Sequence, residues 1–141
     1  MDLKKIVVAY DGSAGSHKAL VWAVGLAARF EGATVVVASV VKPPEFSSSI
    51  DEVDEWYADG EKQYRPLLEQ AVVYGEEQGI FLQTEILKGH PAESLMRYAV
   101  DRRADLIVMG TRGMGGFKSL IIGSVVQKVV TYAKVPVVVV K

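Results

Sequence analysis

Short runs of β-branched residues alternate along the chain with longer stretches whose apolar positions recur every three or four residues, and Gly or Pro stands at most joints. "KIVVAY" reads as a first strand that ends at "DGS". The spacing that follows predicts a helix from Ser13 to Glu31, with Ala19, Ala23, Ala27 and Phe30 on its inner face and Gly32 as its C-terminal cap. "ATVVVASVV" is a second strand. Residues Lys42 to about Asp54, "KPPEFSSSIDEVD", contain paired prolines and consecutive serines and are expected to form an exposed loop. A long helix follows, with Trp56 and Tyr57 packing at its start, Tyr64, Leu67, Leu68, Ala71, Val72 and Gly75 as its stripe, and Gly79 at its end. "IFLQTEIL" is a third strand, and Pro91 opens a helix with the stripe Ala92, Leu95, Met96, Ala99 and Val100. A fourth strand, "ADLIVMG", leads into a glycine-rich loop, after which Ser124 to Ala133 form a last helix with Val125, Val126, Val129 and Val130 inward. "VPVVVVK" is the closing strand.

Strands that are apolar on both faces and alternate with helices belong to a parallel sheet covered on both sides. The expected fold is therefore α/β: a single doubly wound, five-stranded parallel sheet with helices on both faces, Rossmann-like, in the order 3-2-1-4-5. At 141 residues, half of them hydrophobic, the chain suffices for one domain over residues 1–141. A net charge of −1 with both signs interspersed offers no basic face for nucleic acid. Without cysteine there is no disulfide, thiolate metal site or Cys nucleophile. The longest uncharged apolar run, Ala19 to Ala28, is about half the ~20 residues of a membrane helix. The start "MDLKKIVVAYDG" is too weakly apolar for a secretory signal, so a soluble cytoplasmic protein is expected.

The candidate chemistry lies in "MGTRGMGGFKSLIIGS", from Met109 to Ser124. Glycines are expensive to order, so Gly110, Gly113, Gly115, Gly116 and Gly123 ask for a use of bare backbone. In doubly wound sheets ligands settle at the carboxyl ends of the strands where the strand order reverses. Strands one and four meet there, which sets Asp11 and the glycine loop across one crevice. A glycine loop running into a helix N-terminus suits an anion, with free N–H groups and the positive end of the helix dipole. Gly113 and Gly115 let the chain approach a phosphate without a Cβ in the way, and Gly123 and Ser124 open the helix that faces it. Asp11 beside such a site fits ribose hydroxyls or a divalent ion. The plainer alternatives are an Asp11 that only caps a helix or makes an Asx turn, and a glycine loop that only connects. No P-loop is present, and strand one ends in "DGSAGS" rather than a dinucleotide fingerprint or an SGGxDS loop. His17, His90 and Ser13 have no partners in sequence that would make them catalytic.

The spacing Gly110, two residues, Gly113, nine residues, Gly123 and Ser124 resembles the GxxGx(9)G(S/T) signature of the universal stress protein family in its ATP-binding branch. "IVVAYDGSAGSHKAL", "GHPAESLMRYAVDRRADLIVMGTRG" and "GSVVQKVVTYAKVPVVVVK" are similar to that family's amino-terminal unit, its third helix with fourth strand, and its end. The resemblance implies that Asp11 binds ribose, that Val40 and Met109 flank adenine, and that Gly110 and Gly113 run along the nucleotide. Gly123, Ser124 and the backbone of Val125 would hold the phosphates. Arg112 and Lys118 stand as loop cations that either assist a triphosphate or are simply solvated.

A closing run of valines leaves an apolar edge, and antiparallel pairing of Val135 to Lys141 with a second copy about a two-fold axis would cover it. The family resemblance implies the same homodimer. The first functional reading is a nucleotide-dependent stress-response regulator that takes up ATP with Mg²⁺ or Mn²⁺ and signals to a protein partner. The alternatives are a slow ATPase or phosphoryl-transfer enzyme, for which the chain shows no orienting base, and a ligand-free interaction module.

Overall fold

The structure, a computed structural model, describes residues 2–46, 49–111 and 123–141. Its elements run β1 (Lys5–Ala9), α1 (Ala14–Ala27), β2 (Thr34–Val41), α2 (Ile50–Glu77), β3 (Leu82–Lys88), α3 (Pro91–Asp101), β4 (Leu106–Gly110), α4 (Ser124–Tyr132) and β5 (Val137–Val140). The five strands pair in parallel in the order β3-β2-β1-β4-β5, the order anticipated above.

Period-two alternation along the strands feeds two cores. Ile6, Val8, Tyr10, Val35 and Val37 face α1 and α2, where Ala19, Leu20, Ala23, Leu68 and Ala71 close over them. Val7, Ala38, Ile107 and Met109 face the opposite side, under Ala92, Leu95 and Ala99 of α3 and Val126 and Val129 of α4. Strands that are apolar on both faces are therefore covered on both faces, which is the condition for a buried parallel sheet.

Several boundaries differ from the sequence reading, each for a local reason. α2 begins at Ile50, inside the stretch assigned to a loop, because Ser49 accepts from Glu52 N at 3.2 Å and Asp51 and Glu52 sit in the first turn against the helix dipole. α1 stops at Ala27, capped by Ala28 rather than Gly32. Gly32, at φ +78°, instead turns the chain toward β2, and Phe30 packs from that turn. Val100 and Val130 were placed inward but are about half exposed. Each follows a buried neighbour, Ala99 or Val129, by one residue, and about 100° of helical rotation carries it off the inner face. α2 ends as expected at Gly79, whose N–H reaches Glu76 O at 3.0 Å while Ile80 N reaches Gly75 O at 2.8 Å, the two bonds of a Schellman motif.

One side chain sets the start of the central strand pair. Asp105 Oδ2 accepts from Lys4 N at 2.8 Å and Lys5 N at 3.0 Å, and Asp105 N returns a bond to Lys5 O at 2.8 Å. These backbone donors hold its carboxyl below the usual value, burial opposing them weakly. A carboxyl lowered in the folded state contributes stability that is complete above its ordinary pKa and is lost as pH falls through the lowered one. Asp105→Asn is expected to cost about 1 kcal/mol at neutral pH, a modest figure because the group is exposed. Denaturant titrations at neutral and acid pH check this: the gap between wild type and variant should close on acidification.

Candidate functional site

The chain leaves β1 in one direction to build β2 and β3, and returns past it to build β4 and β5, so strand order reverses between β1 and β4. Ile6, Val7 and Val8 pair with Leu106, Ile107 and Val108. That register brings the turn after β1 and the end of β4 to the same carboxyl edge, where doubly wound folds take ligands.

The turn after β1 is tied by its own side chains. Asp11 Oδ1 accepts from Ser13 N at 2.9 Å, an Asx turn, and Ser16 Oγ accepts from Asp11 N at 3.3 Å. Ser13, not Asp11, caps α1, its Oγ accepting from Ser16 N at 3.1 Å. Between them Gly12 holds φ +83°, where a Cβ would also come within 2.8 Å of Leu67. The turn alternative for Asp11 is thus realised, although a carboxylate accepts several hydrogen bonds at once and the turn bond engages one oxygen.

Two tyrosines that sequence reasoning did not place at the site stand around this carboxylate. Tyr10 is buried at the end of β1, and half-buried Tyr64 comes from α2, one helical turn before Leu67. Burial first, and then the charge of Asp11, hold both phenols above their usual value, so both remain protonated donors at neutral pH. The only signal in the sequence was the stripe that puts Tyr64 and Leu67 on the inner face of α2.

Val40 and Met109 lie on the strands either side of β1 and share the α3/α4 face of the sheet, with small Ala9 and Ala38 on that same face. Met109 is buried, whereas Val40 is half-buried at the edge. Gly110 answers part of the question raised by the glycine run. A Cβ there would stand 2.6 Å from the carbonyl oxygen of Gly15 and 2.7 Å from its carbon, so the bare backbone lets α1 lie against β4. Arg112, Gly113, Gly115, Gly116 and Lys118 fall outside the described residues. On the far side, Gly123 N donates to Thr111 O at 2.8 Å, which holds the start of α4 beside the end of β4. Gly123 is the N-cap of α4, with no side-chain oxygen capping it, and Ser124 is exposed and Val125 half-buried in the first turn. α1 and α2 are capped by the side chains of Ser13 and Ser49, whereas α3, with His90 at its N-cap, and α4, with Gly123, have no side-chain cap.

A cavity of about 570 Å³ lies elsewhere, between α2 and edge strand β3, lined by Glu61, Arg65, Leu68, Val72 and Ile86 among others. It contains none of the predicted site residues, and Glu61 on its rim is engaged by Arg65 at 3.6 Å and Lys88 at 3.3 Å. It is separate from the crevice between the Asp11 turn and the end of β4. Among the described residues no helix is long and apolar enough to cross a membrane.

Fold and crevice together define a doubly wound α/β protein with its candidate site at the β1/β4 switch point. The profile of the universal stress protein family matches residues 2–141, and the chain belongs to that family. It is 34% identical over 139 residues to universal stress protein MJ0531 of Methanocaldococcus jannaschii, covering 98% of this chain and 82% of that one. Among solved structures it resembles a universal stress protein in complex with cAMP, with a TM-score of 0.76 and 27% identity over 100% of this chain and 99% of that one. It also resembles the Archaeoglobus fulgidus universal stress protein in complex with dAMP, with a TM-score of 0.73 and 25% identity over the whole of both chains.

Proposed function

We propose that residues 1–141 act as one nucleotide-binding domain of a cytoplasmic stress-response regulator, which binds ATP in the crevice between the Asp11 turn and the start of α4. The observation that carries the reading is the juxtaposition at the switch point. Asp11 is fixed beside β4, while the Gly123 to Thr111 bond holds a helix start without a side-chain cap at that strand's end. Two relatives of the same fold are bound to adenine nucleotides. In this arrangement Asp11 accepts from ribose, and Val40 and Met109 flank adenine over the small Ala9. Gly110 and Gly113 run along the nucleotide, with Arg112 and Gly115 beside its phosphates. Gly123, Ser124 and the Val125 amide receive those phosphates. Mg²⁺ or Mn²⁺ would be carried on the nucleotide's own phosphates.

The same reading makes the protein a homodimer through Val135 to Lys141. All of β5 is half-exposed along an open sheet edge, and an apolar edge of that kind calls for a cover.

The test is to purify the protein without added nucleotide, denature it, and weigh the released small molecules. ATP in near-stoichiometric amount is the expected result. ADP or AMP would point to slow hydrolysis at the same site. A protein that emerges empty and fails to bind added ATP with Mg²⁺ would overturn the reading and leave an interaction module.

A further inference from the structure

α2 is longer than the sheet it covers. Its inner stripe, spaced by three and four, runs Ile50, Val53, Tyr57, Gly60, Tyr64, Leu68, Ala71 and Gly75. The last three are buried under the sheet, and Gly60 lies against Val41, the final residue of β2, where a Cβ would come within 2.5 Å of Val41 Cγ1. From Gly60 back to Ile50 the helix stands beyond the strand ends by about 15 Å. This overhang is braced. Trp56 Nε1 donates to Lys42 O at 2.7 Å, and the Lys88 ammonium stands 5.5 Å from the centre of the Tyr57 ring.

Among the described residues the braced helix leaves several apolar side chains largely uncovered. Ile50, on the stripe that is core further along, is 81% exposed, Phe46 just ahead of the helix is 91% exposed, and Trp56 is 47% exposed. Carboxylates surround them. Between Lys42 and Lys62 the chain has no basic residue but carries Glu45, Asp51, Glu52, Asp54, Glu55, Asp59 and Glu61. Asp51 and Glu52 are accounted for by the helix dipole. Asp54, Glu55 and Asp59 lie past the first turn and make no ion pair with described residues.

From this face we infer that the overhang of α2 is a docking surface for a basic amphipathic segment of a partner protein. The apolar side of that segment would cover Ile50, Val53 and Phe46, and its Lys or Arg residues would meet Asp54, which borders the stripe, while Glu55 and Asp59 on the outer side of the helix add longer-range attraction. Charge selects this occupant. A nucleic acid or an anionic membrane would be repelled by the same carboxylates, and a second copy would set like charges against each other. The surface does not depend on nucleotide in the crevice.

A fluorescein-labelled helical peptide of about fourteen residues, leucines on one face and lysines on the other, serves as the probe for anisotropy titration against the full chain. The expected Kd is on the order of micromolar at about 0.15 M salt. Ile50→Ser should weaken it about tenfold, while Phe81→Ser, equally exposed near the opposite end of α2, should leave it unchanged. The triple change Asp54→Asn, Glu55→Gln, Asp59→Asn should weaken binding and flatten its salt dependence, and a glutamate-for-lysine peptide should not bind. Ile50 is exposed, so its variant keeps the wild-type melting temperature as a check on folding. The inference is overturned if Ile50→Ser binds the peptide like wild type. It is equally overturned if that variant changes ATP affinity instead, which would make the stripe a wall of the crevice, or if it dissolves a self-association.

Discussion

Gly110→Ala is expected to melt roughly 10 °C below the wild type. The added Cβ would sit 2.6 Å from Gly15 O and 2.7 Å from Gly15 C. Those are backbone atoms, so no side chain can turn away. Relief requires moving α1 off β4, and α1 is locked by buried Ala19, Leu20, Ala23 and Val24 below and by the Ser13 cap at its start. Overpacking against fixed neighbours costs roughly 2–3 kcal/mol, and for a chain of this size each kcal/mol lowers Tm by roughly 3–5 °C. A control with opposite sign lies in the same helix. At Gly25 a Cβ would meet nothing within 4 Å, so Gly25→Ala should gain about 0.5–1 kcal/mol from helix propensity alone. Thermal melts of the pair decide the matter. A Gly110→Ala protein that melts with the wild type would mean that α1 does not rest on β4 as closely as the Gly15 contact requires.

The Gly110 result also marks where sequence reasoning reached its limit. The glycine run can be read as bare backbone with a purpose, and the switch-point argument sets it opposite Asp11; the register of β1 with β4 brings the turn after β1 and the end of β4, with Gly110, to one edge, while Gly113, Gly115 and Gly116 lie outside the described residues. What the purpose is differs glycine by glycine, and that depends on which backbone approaches from elsewhere in the chain. Gly110 meets Gly15, ninety-five positions earlier by residue number, and no local pattern encodes such a meeting.

The elements and the covering of both sheet faces were legible because the alternation of strands apolar on both faces with amphipathic helices implies a doubly wound parallel sheet, and the switch-point rule for such sheets sets strands one and four side by side. The errors came where a local cap outweighed composition. "SSSIDE" looked like loop because serine and aspartate favour turns, yet those same groups satisfy the first amides of a helix, and Ser49 does so for α2. The neighbours of Asp11 were missed for a related reason. Tyr64 and Leu67 could be placed on a helix face, but only the packed structure shows that this face leans on the turn after β1.

Asp11→Asn should leave the fold intact and weaken ATP binding by roughly 10–100-fold, which separates the two roles this residue can play. Asparagine keeps a carbonyl oxygen where Asp11 Oδ1 accepts from Ser13 N at 2.9 Å, so the Asx turn persists and Tm should stay within about 2 °C of wild type. What it removes is the charge, and a hydrogen bond to an ionised group contributes about 1.5–3 kcal/mol. Asp11→Ala removes the turn acceptor as well, so it should lose about 1 kcal/mol of stability in addition to the same ATP affinity. The phenols provide a check that needs no ligand. Asp11 charge raises Tyr10 and Tyr64 above their usual value in addition to burial, so in Asp11→Asn a spectrophotometric tyrosine titration should shift toward lower pH while staying above the ordinary range. A variant with that shift, wild-type stability and wild-type ATP affinity would show that the carboxylate faces the tyrosines and builds the turn but does not hold ribose. Nucleotide binding would then have to rest on the start of α4, where Ser124→Ala becomes the decisive substitution.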